Sequence, residues 1–153
     1  MNKTPARLQP IVLIEDSEDD CEAIMRAFRK SGAEYPIIWC NTGQQALEFM
    51  QKSCVQDSDN ILKPILIMLD LNMPGIDGRK ILETIKSHDM MKSIPVIIVS
   101  TSDNERDINQ CYQLGASSYI QKPLDFDALT ETVRRLKEFW FDTALLPKEN
   151  SYA

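Results

Sequence analysis

Four stretches of the chain end in residues able to do chemistry. Glu15-Asp16 follows "IVLI", Asp70 closes "PILIMLD", Ser100-Thr101 follows "PVIIV" and Lys122-Pro123 follows "SSYIQ". Taken singly, each has an ordinary explanation. Asp16 or Ser17 can cap a helix, Asp70 can open the turn that Pro74-Gly75 completes, and Lys122 can be a surface charge. Their common position after an apolar run is harder to dismiss. If the runs are parallel strands of an open sheet, their C-terminal ends share one edge, and ligands bind there beside the point where strand order reverses. Three carboxylates, a hydroxyl and an ammonium then converge although they are distant in sequence.

Such a cluster has a definite chemistry. At an effective dielectric of ~20, two carboxylates ~4 Å apart repel by about 4 kcal/mol, so three together need a cation. Oxygen-only ligands suit a hard ion, and Mg²⁺ accepts partial coordination by carboxylates while it keeps waters and recruits phosphate oxygens. A carboxylate neutralised in this way can attack a phosphoryl group, with Lys122 and the ion absorbing charge on the phosphoryl oxygens. The product would be an aspartyl phosphate at Asp70.

The elements that must position these groups are legible in the pattern. Apolar runs at 11–14, 37–40, 65–69, 94–99 and 118–121 alternate with segments of helical periodicity, which argues for βαβ units and a parallel sheet. Pro10, Pro36 and Pro64 stand at the entrance to a run and Pro95 near the start of another, where a missing ladder donor costs least. The first helix is expected from Ser17 to a stop at Gly32, with Cys21, Ile24, Met25 and Phe28 on its apolar face. Thr42 opens the second, with Gln45 placed for a capping box. Residues 52–63 read as a polar loop. The third helix is expected over 78–87, and the fourth over 103–113 behind a Ser102-x-x-Glu105 capping box. Leu129, Val133, Leu136 and Trp140 form one core-facing stripe on the last.

Composition narrows the function classes. A chain of 153 residues fits one domain of ordinary size. A net charge of -6 disfavours a nucleic-acid surface, which needs clustered Lys and Arg. The one basic cluster, "VRRLK" at 133–137, suits the solvated end of a helix. No apolar run approaches the ~18–20 residues that span a bilayer, and "MNKTPARLQP" has no apolar signal core. Four cysteines without C-x-x-C spacing read as reduced thiols of a cytoplasmic protein. His88, the single histidine, cannot build a histidine metal cluster.

The acidic pair in "LIEDSEDD", the acceptor in "LDLNMPGIDG", the serine in "PVIIVSTSD" and the lysine in "GASSYIQKPL" together resemble the receiver domain of two-component response regulators. The resemblance implies an α/β, flavodoxin-like, doubly wound (βα)5 three-layer sandwich with parallel strand order 2-1-3-4-5. The receiver would span residues 8–141, between an N-terminal tail of 1–7 and a C-terminal tail of 142–153, with no output domain.

It further implies that Asp70 accepts the phosphoryl group from a histidine kinase. Asp16, Asp70 and the backbone carbonyl of Asn72 would hold one Mg²⁺, with Glu15 acting directly or through water. Glu15 stands where many receivers have Asp, and its longer arm still reaches. Ser100, with Thr101 beside it, and Lys122 would bind phosphoryl oxygens; Ser100 keeps the hydroxyl of the commoner Thr. The Lys122-Pro123 bond is expected cis. Ser100 drawn toward the phosphoryl group would let Tyr119 turn inward and so switch a partner-binding surface. Asn72 and Ser102 would tune dephosphorylation.

"LNMPGIDGRKILETIKS", "IPVIIVSTSDNERDI" and "LKEFWFDTALLP" further resemble the small phytochrome-associated response regulators of cyanobacteria, implying a bacterial-type phytochrome as phosphodonor. Phe139, Trp140 and Phe141 are candidates for a homodimer contact. Two other classes compete. An aspartate-nucleophile phosphatase wants an acid two residues after the nucleophile, where this chain has Asn72. A degenerate receiver acting only as a binding module would not keep Asp16, Asp70, Ser100 and Lys122 together.

Overall fold

In the computed structural model, residues 8–56 and 61–148 are described. Five strands, β1 (Ile11–Ile14), β2 (Ile37–Cys40), β3 (Leu66–Asp70), β4 (Val96–Ser100) and β5 (Ser118–Gln121), alternate with five helices. These are α1 (Glu18–Lys30), α2 (Gly43–Met50), α3 (Gly78–Ser87), α4 (Glu105–Gln113) and α5 (Phe126–Lys137). The sheet is parallel in the order β2-β1-β3-β4-β5, as the resemblance implied. β3 is its central strand, between β1 and β4, with Leu69 in register with Ile14 on one side and Ile98 on the other.

Apart from Asp70 and Ser100 at their C-terminal ends, the central strands are apolar because both faces of the sheet are covered. Val12, Ile14, Ile67, Leu69, Val96 and Ile98 pack on one face with Ala46 and Met50 of α2, Ile81, Leu82 and Ile85 of α3 and Cys111 of α4. Ile11, Leu13, Leu66, Met68, Ile97 and Val99 pack on the other with Ile24 and Phe28 of α1 and Leu129, Val133 and Leu136 of α5. Successive residues therefore serve opposite layers. Burying each such side chain is worth roughly 1.5–3 kcal/mol, which holds the strand ends in place.

Helix starts follow local chemistry. Ser17, Thr42, Asp77, Asn104 and Asp125 each accept a hydrogen bond from a backbone N–H of the first turn. The box expected at Ser102 does not form. Asn104 caps α4 instead, and the Ser102 hydroxyl is used elsewhere. Gln45 returns to the Asn41 N–H, one residue before the cap. A π-helical turn over Gln51–Val55 extends α2 into what reads from sequence as loop, burying Cys54, and residues 57–60 lie outside the described residues. A second π-helical turn, Glu138–Thr143, extends α5. The basic cluster near its end is a solvated face, where Arg134 and Arg135 bond Glu131 and Arg134 also bonds Glu138.

Gly78 has a direct bearing on the site. A Cβ there would sit 2.9 Å from the Leu71 Cα and 3.1 Å from the Asp70 carbonyl oxygen, so only glycine lets α3 start against the end of β3.

Candidate functional site

The sheet's C-terminal edge gathers the expected residues. One carboxylate oxygen from each of Glu15, Asp16 and Asp70 lies within 4.8 Å of the others. Glu15 is 1% exposed and Asp70 7%, while Asp16 faces solvent. At that spacing and an effective dielectric of ~20, each pair of charges repels by about 3 kcal/mol. Lys122, itself 8% exposed, offsets part of this. Its ammonium donates to Glu15 Oε2 at 2.7 Å, Asp20 Oδ2 at 3.0 Å and Asp70 Oδ2 at 3.5 Å.

Backbone geometry fixes the acids. The Glu15 N–H donates to the Cys40 carbonyl of β2 at 3.1 Å, and the Glu15 carbonyl accepts from the Trp39 indole at 2.7 Å. Glu15 Oε1 accepts from the Ser17 N–H at 3.1 Å, and Asp70 Oδ1 from the Asn72 N–H at 3.1 Å. Burial pushes the Glu15 carboxyl up, the Lys122 hydrogen bond pulls it down and the Asp70 charge pushes it up again, leaving it at about 7. Burial alone lowers the Lys122 ammonium, but its bond to Glu15 and the charges of Asp70 and Glu15 outweigh that and leave it raised. The ammonium therefore stays charged, and a proton taken up near neutrality goes to Glu15.

Ser100 closes the other side. It is fully buried, and its hydroxyl oxygen accepts from the Asn72 side-chain amide at 3.1 Å and the Ser102 N–H at 3.2 Å. Thr101 beside it is exposed. Tyr119 is half-buried, and its hydroxyl donates to the Ser102 carbonyl at 2.9 Å, so the ring is already tied to the β4–α4 loop. The Ser102 hydroxyl donates to Asp107, which also accepts from Arg79 at 2.5 Å, joining that loop to the start of α3. These bonds hold the Asp107 carboxyl below its usual range, Ser102 foremost and Arg79 next.

Pro123 requires a correction, because among the described residues every peptide bond is trans, Lys122–Pro123 included. Trans is the intrinsically favoured isomer of an X-Pro bond by about 0.5–1 kcal/mol. Here the trans chain already delivers the lysine, whose N–H donates to the Ser100 carbonyl at 2.6 Å. The C-terminal aromatics separate. Phe141 packs on Tyr35 and Phe28, with centroids 4.7 and 6.4 Å away, and Trp140 and Leu146 join the same core layer. Phe139 and Leu145 stay exposed.

Sequence reasoning missed Asp20, Trp39, Arg79 and Asp107. Asp20 had a readable signal: it lies three residues after Ser17, in the first turn of the helix that starts directly behind Glu15-Asp16 at the end of β1. The others act through contacts between distant elements that no local pattern encodes.

Oxygen donors, a buried lysine and a buried hydroxyl at the switch edge of a 2-1-3-4-5 sheet define a cation-dependent phosphoryl-handling α/β domain. The donor set fits a divalent cation, and Asp16 and Asp70 with Glu15 are the side chains that would hold it. The response regulator receiver domain family matches residues 11–134, and the chain belongs to that family. It is 34% identical over 137 residues to response regulator Rcp1 of Synechocystis sp., covering 90% of this chain and 92% of that one. The Mn²⁺-bound structure of Rcp1 has a TM-score of 0.82 to this chain, covering 91% of it and 99% of Rcp1. The phosphorylated cyanobacterial phytochrome response regulator RcpA has a TM-score of 0.84 at 36% identity, with coverage of 92% and 99%. The "Probable methanogenesis regulatory protein FilR2" of Methanothrix harundinacea is 34% identical over 130 residues, 85% of this chain and 82% of that protein.

Proposed function

We propose that this response regulator is a phosphoacceptor switch in which Asp70 takes a phosphoryl group from a histidine kinase. The observation that carries the reading is the clustering of Asp70 with Glu15 and Asp16 beside a lysine that reaches two of the three. An Asp70 carboxylate oxygen attacks phosphorus, the donor's P–N bond breaks, and the histidine nitrogen keeps the electron pair. Lys122 and the Ser100 hydroxyl supply donors for the phosphoryl oxygens. Mg²⁺ is the expected cation, held by Asp16, Asp70 and the Asn72 carbonyl with Glu15, and it would neutralise developing phosphoryl charge.

The domain acts as a switch in the cytoplasm rather than as a turnover enzyme. Asn72 offers an amide where a phosphatase wants an acid, and that amide is bonded to Ser100. Phosphorylation adds about -1.5 to -2 charges, enough to draw Ser100 off its Asn72 bond and to shift the Ser102 loop on which Tyr119 is anchored. The likeness to Rcp1 and RcpA supports a bacterial-type phytochrome as donor. The test is incubation with Mg²⁺ and acetyl phosphate or a phosphorylated kinase. An acid-stable, base-labile phosphate is expected, mapped to Asp70 by mass spectrometry and absent from Asp70→Asn. A wild-type protein that takes up none overturns the reading.

Self-association through the C-terminal end is part of the same proposal. Phe139 is 56% exposed and Leu145 99%, while their neighbours Phe141 and Leu146 are anchored on the domain. Sedimentation of Phe139→Asp/Leu145→Asp is expected to give half the wild-type mass. An unchanged mass removes these residues from the contact.

A further inference from the structure

We propose that Asp20 is a positioning residue that holds Lys122, and so sets how far the ammonium competes with a divalent cation for Asp70. This rests on the phosphoacceptor reading of the pocket. The three carboxylates around Lys122 are not equivalent. Glu15 at 2.7 Å and Asp20 at 3.0 Å are close partners, whereas Asp70 at 3.5 Å lies beyond the usual length of a charge-assisted bond. The ammonium is therefore held toward α1, off the acceptor.

Asp20 differs from Glu15 in one decisive respect. Glu15 belongs to the acid trio that fits a cation, and Asp20 does not. Two cations cannot both keep Glu15 at full strength, so a divalent ion at the trio weakens the bond between Lys122 and Glu15. Asp20 remains as the partner that no ion takes. Its place is secured because its own N–H donates to the Ser17 cap at 3.2 Å and its side chain is 28% exposed, on the inner side of the first turn of α1. Without Asp20 the ammonium has only Glu15 and Asp70, both of which the cation needs.

Calorimetric titration with Mg²⁺ tests this without any phosphodonor. Asp20→Asn is expected to weaken Mg²⁺ binding about five- to tenfold, the scale of one hydrogen bond's net contribution. Asp19→Asn removes the same charge from the same turn at an exposed position, and is expected to change affinity less than about twofold. Asp20→Glu restores most of the affinity. In a Lys122→Met background the effect of Asp20→Asn shrinks to that of Asp19→Asn, because Asp20 acts through the lysine. An effect of Asp20→Asn equal to that of Asp19→Asn, or undiminished without the lysine, overturns the proposal. If Lys122→Met does not fold, rescue by Asp20→Glu against failure of Asp20→Asn decides alone. A wild type that binds no phosphate from acetyl phosphate sinks the phosphoacceptor reading, while the Mg²⁺ affinities still decide the role of Asp20.

Discussion

Lys122→Met is expected to lower the stability of the cation-free protein by about 3 kcal/mol at pH 7, the low end of what removing one partner of a buried ion pair costs. Methionine keeps the volume of the stem, so the loss is electrostatic. Glu15 and Asp70, both nearly buried, would face each other with no cation between them. Protonation of Glu15 is the escape, and it caps the penalty, because its carboxyl already titrates at about 7 beside the lysine and would rise further without it. For a domain of this size the melting temperature should drop by roughly 6–12 °C. Adding Mg²⁺ should return most of that, since a divalent ion satisfies the same acids. Phosphate uptake from acetyl phosphate should fall by about 10²–10³, the usual cost of losing one donor to a charged transition state. Urea midpoints with and without Mg²⁺ measure the first two effects. An unchanged midpoint in chelator would mean that the ammonium does not compensate these carboxylates.

The same pocket shows how far a sequence can be read. Asp70 and Ser100 were legible because each ends an apolar run, and alternation of those runs with helical segments makes the ends coincide. In the structure the two are the last residues of β3 and β4. Strand bounds at 11–14 and 37–40 agree because each is an unbroken apolar run bounded by proline on one side and polar residues on the other, although β1 is fully buried and β2, at the sheet edge, only partly. The Ser102 box failed because Asn104 competes for the same helix start and Asp107 claims the serine hydroxyl across one turn. Trp39 and Arg79 were invisible because their partners, Glu15 and Asp107, lie 24 and 28 residues away. Phe141, a candidate for a homodimer contact from sequence, lies in the π-helical turn after α5 and packs on Tyr35 of its own domain, and no residue type forecasts that turn.

Cation-free protein is expected to lose about 3 kcal/mol of stability between pH 5 and pH 8.5. The sign follows from Glu15, whose folded carboxyl is raised from its ordinary 4.5 to about 7 by burial, with Asp70 adding to the rise and Lys122 opposing it. Between those values the folded state binds a proton that the unfolded state has released. Its contribution is therefore fully present below pH 4.5 and lost as pH rises through about 7. A shift of this size corresponds to about 3 kcal/mol. Groups held below their usual range, such as Asp107, act in the opposite sense but only at more acid pH. Glu15→Gln should flatten the slope and make the chelated protein more stable than wild type at pH 8.5. Mg²⁺ should flatten it as well, because a bound cation favours the ionised carboxylate that alkaline pH produces. Urea denaturation across this range, in chelator and then in Mg²⁺, separates the effects. A slope that survives Glu15→Gln would place the responsible proton on another group. A slope that vanishes in that variant yet persists in Mg²⁺ would show that Glu15 stands outside the cation's reach, so the pH dependence of stability also tests whether Glu15 takes part in binding the ion.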